Sequence, residues 1–441
     1  MKKFLVITLA AALCLALALP AMAKVTAGGR VDLDWSYLSQ NTERASTWSS
    51  PFGIPAFGVP QGSTATTNGF DNMNFVTPST LNRLNLVYTS DDGAIKGMVE
   101  VRGGGGLEST TTGFIYAWIQ WQITPNNSIT FGRQTTNFAR FIPNQWVGTH
   151  ETTILGVGFG NVNHTTARTG VKGYHKFSDM IGLVWGLYDP HVEGPNKGLI
   201  QGAADYSFST TTGTIVGPTG ASAFNLPGKV PGQKVSADNT FPRIDVALPI
   251  RFPWGVIEPS ATYSQMNFEN VAAGSDDSFD IYGLSIGGRL NFGMIYFGGE
   301  FTIGQNLGGG SYRGAEGGPP VTYVSGTTVK IADTDVTAWF ADVGFKFGPN
   351  KINFMYGQIS YENEADPAIP KGTDVRELDY SNSFYGISWL IGVAKGFTIN
   401  PELMFYNFGD SEYMGALGHN SCDRLDMGTE MLIGVQFMLV F

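Results

Sequence analysis

Cysteine is nearly missing from this 441-residue chain, which holds only Cys14 and Cys422. Cys14 sits inside "MKKFLVITLAAALCLALALPAMA", residues 1–23. The two lysines, apolar core and Ala21-Met22-Ala23 ending of that stretch read as a secretory signal cut before Lys24. A lipid-anchor motif needs a small residue just ahead of its cysteine, and Leu13 stands there instead. With Cys14 removed, Cys422 alone excludes an internal disulfide or a cysteine-ligated cluster. Charge is scarce as well, at 15% of residues. The formal net charge is −10, and it becomes −12 once Lys2 and Lys3 leave, which argues against nucleic acid or a basic lipid-surface patch. After residue 23 no stretch approaches the roughly 18 uninterrupted apolar residues of a membrane helix. If this chain crosses a membrane, it does so as strands.

Reactive constellations are also lacking. His150, His164, His175, His191 and His419 are scattered without metal-ligand spacing. No nucleophile elbow, phosphate loop or haem-attachment CxxCH occurs, and "GGGG" at 103–106 has no Lys-Ser/Thr behind it. No enzymatic activity and no cofactor are expected, although catalytic groups carried on distant strands would leave no motif.

What the chain has is glycine (58 residues), aromatics at 13%, and alternation. Near its end Met431, Ile433, Val435, Phe437, Leu439 and Phe441 share one face of an extended chain, while Glu430, Gly434 and Gln436 share the other. That run is too long for an ordinary soluble strand of about five or six residues, and a helix would mix the two sets. Similar segments occur near 25–38, 80–90, 94–102, 113–124, 127–134, 168–177, 180–189, 241–250, 254–268, 279–292, 294–304, 334–347, 351–361, 380–394, 397–408 and 424–441. Every second link is a tight turn, such as "SDDG", "TPNN", "NFGM" and "GPN"; the others are long, about 41 residues at 39–79 and about 51 at 190–240. One-sided connections and an even strand count imply an all-β fold, a 16-stranded antiparallel transmembrane β-barrel. Short turns would face the periplasm and long loops the exterior, with residues 24–441 forming one domain. Phe437, Leu439 and Phe441 would close the last strand against the first, at an aromatic girdle.

Sixteen strands enclose an aqueous channel unless something fills it. The third long connection, residues 135–167, is partly apolar, with Phe138, Phe141, Ile142, Trp146, Val147, Ile154, Leu155, Val157 and Phe159. Folded against the inner wall it would bury these and narrow the pore; the alternative is a cap on the outer rim. Parity points Arg30, Arg83, Lys96 and Arg102 inward, with Asp32, Asp34 and Glu100 among them. Glu151 on the third loop would face these arginines across the gap. Arg133 has the parity of Ile129 and Phe131, so it must sit where the strand ends or bulges at Gly132 and turns inward.

"ITFGRQ" (129–134), "GGRVDLDW" (28–35), "TARTGVKGYHKF" (166–177) and the final aromatic resemble segments of the Gram-negative trimeric porins. The resemblance implies a homotrimer in the outer membrane, among its lipids, that passes small hydrophilic solutes and ions by passive diffusion. It also implies that the barrel-assembly machinery recognises the last strand, and that Arg133 joins a basic cluster facing acids on the constriction loop. Here the loop departs from the pattern, because it offers one acid, Glu151, and adds Arg140. A pore less cation-preferring than its net charge is therefore expected. Three other readings stay open: a barrel sheathing an electron-carrying cytochrome, a surface adhesin or enzyme using its long loops, and a solute-specific channel.

Overall fold

The computed structural model describes residues 24–41, 70–76, 82–103, 112–145, 160–162, 167–190, 207–209, 214–216, 236–237, 241–269, 273–307, 321–325, 328–364, 377–407, 409–411, 425–426 and 428–441. The expected signal, Glu151 and Cys422 lie outside these residues.

Sixteen antiparallel strands form one closed sheet. They are β1 (Lys24–Gln40), β2 in two pieces (Phe70–Val76 and Arg83–Thr89), β3 (Ile95–Gly103), β4 (Thr112–Thr124), β5 (Asn127–Thr135) and β6 (Ala167–Lys176). Next come β7 (Gly182–Tyr188), β8 in two pieces (Arg243–Ala247 and Ile250–Phe252), β9 (Gly255–Glu269), β10 (Ser278–Phe292) and β11 (Ile295–Gln305). The last five are β12 (Thr334–Phe347), β13 (Asn350–Glu364), β14 (Glu377–Ala394), β15 (Phe397–Asn407) and β16 (Thr429–Val440). Each strand pairs with its neighbours in sequence, and β16 returns to β1 through Arg30↔Val440 to Gln40↔Glu430.

The two faces sort as the alternation requires. On β1, Val31 is 51% exposed while Asp32 is 0% exposed; on β10, Leu284 is 59% exposed and Ser285 6%. Outward residues are apolar because they meet hydrocarbon. Slipping β1 by one residue would put Asp32 and Asp34 there, each at somewhat less than the roughly 2–4 kcal/mol that a basic group costs near the midplane.

Closure is made by backbone and tightened by a ring. The Gly29 N–H donates to the Phe441 carbonyl at 3.0 Å, and the Phe441 N–H to the Gly29 carbonyl at 3.2 Å. A Cβ on Gly29 would lie 2.5 Å from Cζ of Phe441, so the ring rests on the glycine's outer face. No other residue type leaves that space.

The second strand departs from expectation. The chain re-enters the sheet at Phe70, ten residues before the predicted start, because "FDNMNFV" is rich in Asp and Asn and reads as loop. Asp34–Gln40 of β1 pairs with Phe70–Val76, and Lys24–Arg30 with Arg83–Thr89. The break between the pieces would orphan the backbone of Asp32. Asn82 fills it: its Oδ1 accepts from the Asp32 N–H at 2.8 Å and its Nδ2 donates to the Asp32 carbonyl at 3.4 Å. One side-chain amide thus replaces a missing peptide.

Seven tight turns occupy one rim. In the first, the Asp92 carboxylate accepts from the Ser90 hydroxyl (2.6 Å) and the Ala94 N–H (2.9 Å), and the Ser90 bond foremost holds its pKa below the usual carboxylate value. On the same rim Phe252 stacks on Trp254 at 4.5 Å and Trp254 on Phe292 at 5.4 Å, a piece of aromatic girdle. Replacing Asn82 by Ala is expected to lower the unfolding free energy by about 1–3 kcal/mol, the price of two unpaired backbone groups. A urea midpoint equal to that of the unmodified barrel would contradict the bridging role.

Candidate functional site

The third connection enters the barrel. From Asn137 to Gln145 it advances along the inner wall from β7 to β15, gaining about one strand per residue. Asn137 Nδ2 donates to the Tyr188 hydroxyl (3.2 Å), and the Asn137 N–H to Asp245 Oδ2 (3.3 Å). The Ala139 N–H reaches Ser260 Oγ at 3.3 Å. Arg140 makes a bidentate pair with Glu258, Nε to Oε1 and a terminal nitrogen to Oε2, both at 2.5 Å. The Phe141 N–H donates to Glu300 Oε2 at 3.1 Å and the Asn144 N–H to Asp342 Oδ2 at 3.2 Å. Ser388 Oγ then donates to the Asn144 carbonyl (2.7 Å), and Gln145 Nε2 to the Tyr406 hydroxyl (2.5 Å).

A physical rule explains this arrangement. An irregular segment inside a barrel has backbone N–H groups that no ladder satisfies, and each buried one left unpaired would be expensive. Here Asp245, Glu300 and Asp342, all at inward parity, accept from the N–H groups of Asn137, Phe141 and Asn144, while Glu258 takes the Arg140 guanidinium. Ionised acceptors make stronger bonds than neutral ones. Asp245 is itself steadied by Arg243 at 2.9 Å and by the Thr262 hydroxyl at 2.7 Å.

Apolar contacts complete the seat. A Cβ at Gly283 would lie 2.6 Å from the Phe138 ring, and one at Gly287 would lie 2.4 Å from the Phe141 ring. Two glycines on one face of β10 therefore admit two rings of the loop. Ala139 between the rings has φ +45°, a left-handed conformation that disfavours a residue with a Cβ. Asn161, from the returning part of the loop, holds this bend by donating to the carbonyls of Ala139 (3.1 Å) and Phe141 (2.5 Å) and to Glu300 (3.0 Å).

The opposite wall, on β1 to β6, carries the residues picked from parity. Arg30 pairs with Asp32 at 2.6 Å, and Arg83 stands 3.9 Å from Glu100. Asp34 is buried beside them. Lys96 is exposed near the first tight turn, across from Thr89 and Gln120. Arg102 pairs through its backbone with Arg83 and Gly113. Arg140 lies on the loop but engages Glu258 rather than the arginine wall. Trp146, Val147 and the apolar residues from 154 to 159 fall with Glu151 outside the described residues.

Arg133 requires a correction. The ladders to β4 and β6 run through Gly132 and Arg133 with no register shift, pairing Arg133 with Ala117 and Thr169. The expected bulge is therefore missing, and Arg133 keeps the parity of Phe131. Gly132 instead takes φ +113°, with the place of a Cβ only 2.2 Å from the Ala117 carbonyl.

The acids on β8, β9, β11 and β12 were not among the residues expected at the site, because they lie roughly 100 to 200 residues from the loop in the chain. The signal was present: "RIDVA", "VIEPS", "GGEFT" and "ADVGF" each place one acid at inward parity in mid-strand.

Comparisons with known proteins support the barrel. The model of the Gram-negative porin family matches residues 9–381, and the chain belongs to that family. No curated protein matches it in sequence. Its fold is similar to the outer membrane channel DcaP of Acinetobacter baumannii, at 15% identity over 96% of this chain and 98% of that one, with a TM-score of 0.59. It is also similar to an anion-selective porin from Comamonas acidovorans, at 12% identity over 95% and 100% of the two chains, with a TM-score of 0.51. The protein is an outer-membrane channel for solute diffusion.

Glu258→Gln and Arg140→Gln should each loosen the loop by about 2 kcal/mol. The double variant should be no worse than either single change, because both remove one pair. Open-channel current noise reports this; additive increases in noise would mean that the two residues act separately.

Proposed function

We propose that the open part of the lumen lies between the third loop and the wall formed by β16 and β1 to β6, and that small hydrophilic solutes and ions pass there without strong charge preference. The observation that carries this reading is the engagement of four inner carboxylates, Asp245, Glu258, Glu300 and Asp342, by donors of the loop and by Arg140. Acids committed to amides and a guanidinium attract passing cations less than free ones would. The acidic net charge of the chain therefore overstates the cation preference of its pore.

In this reading Arg30, Arg83 and Arg102 line the passage with Asp32, Asp34 and Glu100 buried beside them, Lys96 stands at its periplasmic end, and Glu151, outside the described residues, belongs to the loop that faces it. Facing charges of both signs order water across the gap and favour polar solutes over apolar ones. Arg133, at outward parity, is left out of the lining. Three copies assembling in the outer membrane, and recognition of Phe437, Leu439 and Phe441 by the assembly machinery, follow from family membership and belong to the same proposal. So does the cleavage of residues 1–23. No catalytic step is assigned to the chain.

Planar-bilayer recording of the purified protein tests the reading. Large, weakly selective conductance steps are expected; a silent barrel that copurifies with haem would favour a sheath around a cytochrome. Replacing both Arg83 and Arg102 by Gln should move the zero-current potential in a salt gradient toward the cation side. Unchanged selectivity would remove these two arginines from the narrow part of the pore.

A further inference from the structure

The wall beneath the loop carries a second charged group that the diffusion reading does not use. The tight turn "KFGPNK" pairs Phe347 with Asn350 and Lys346 with Lys351. Both lysines sit at inward parity, so two like charges stand directly opposite each other, an arrangement that destabilises a sheet. Both reach over the same ring: Lys351 Nζ lies 4.1 Å and Lys346 Nζ 5.3 Å from the Tyr296 centroid.

A third cation stands close by. Arg289 donates to the Ile142 carbonyl at 2.6 Å and to Asn144 Oδ1 at 3.3 Å, and Lys351 donates to that same oxygen at 2.9 Å. The nearest acid is Asp342, whose Oδ2 already accepts from the Asn144 N–H. Three cations thus share one partly engaged carboxylate. Lys346 is exposed and Lys351 partly so, which leaves their charge open to the lumen.

Tyr296 points to the occupant. Its side chain is 3% exposed, and its hydroxyl has no hydrogen-bond partner among the described residues. Its ring lies flat on Gly344, where a Cβ would stand 1.9 Å from the ring. A buried hydroxyl without a hydrogen-bond partner among the described residues thus lies on the ring that both opposed lysines cover.

We propose that Lys346, Lys351 and Arg289, with the Tyr296 hydroxyl, form a subsite for a small organic carboxylate near the periplasmic exit. The proposal rests on the channel reading above and deepens it by naming a solute class. The anion relieves the Lys346–Lys351 repulsion, and the site concentrates carboxylates below the constriction without closing the pore.

Citrate is a suitable probe, applied from either side of a bilayer holding the channel and titrated by calorimetry into the detergent-solubilised protein. Millimolar citrate should bind the unmodified protein and reduce open-channel current at lower concentration from the periplasmic side. Lys346→Gln changes an exposed residue that does not touch the loop. It should raise the dissociation constant about fivefold to tenfold, the loss of one charge-assisted contact. Tyr296→Phe should raise it about threefold while chloride conductance stays within a factor of about two. Equal citrate affinity in all three proteins, or no binding to the unmodified one, overturns the subsite. Failure to conduct potassium chloride would instead overturn the channel, and the calorimetric result stands apart from it.

Discussion

Hydrocarbon offers the peptide backbone no hydrogen-bond partner, and every feature of this protein answers to that one constraint. A sheet in lipid must close, so β16 returns to β1, and Gly29 exchanges two backbone bonds with Phe441. Closure fixes register, and register fixes which side chains meet lipid. Where the second strand breaks, an asparagine side chain stands in for the absent peptide. The repair keeps Asp32 and Asp34 on the inner face of the sheet.

The same constraint governs the interior. A loop that enters the barrel brings unpaired N–H groups with it, and the wall meets three of them with carboxylates on β8, β11 and β12. Packing does the rest, since glycines on β10 admit the rings of Phe138 and Phe141. The wall that secures the loop therefore spends its acids on structure. The opposite wall keeps Arg30 close to Asp32 and Arg83 close to Glu100.

The architecture was legible in the sequence because alternation is a local signal, repeated sixteen times and punctuated by turns. The strand starting at Phe70 was not, since Asp71, Asn72 and Asn74 erase the apolar rhythm and only pairing with β1 restores it. The inward path of the third loop could be suspected from Phe138 and Phe141. Its partners could not, because Glu258, Glu300 and Asp342 lie between roughly one hundred and two hundred residues away and meet the loop only when the barrel closes. Arg133 shows the opposite failure. A cost argument demanded a bulge, while the observed ladder accommodates Gly132 at positive φ and runs on without one.

The sorting of consecutive side chains between lipid and lumen can be measured directly. Spin labels placed singly at Leu284, Ser285, Ile286 and Gly287, in protein whose Cys422 has been changed to Ser, report contact with oxygen in the bilayer or with a water-soluble nickel complex. Labels at 284 and 286 should favour oxygen and those at 285 and 287 the nickel complex or immobilisation against the loop. Uniform accessibility along the four positions, or the reverse alternation, would contradict the barrel and everything built on it.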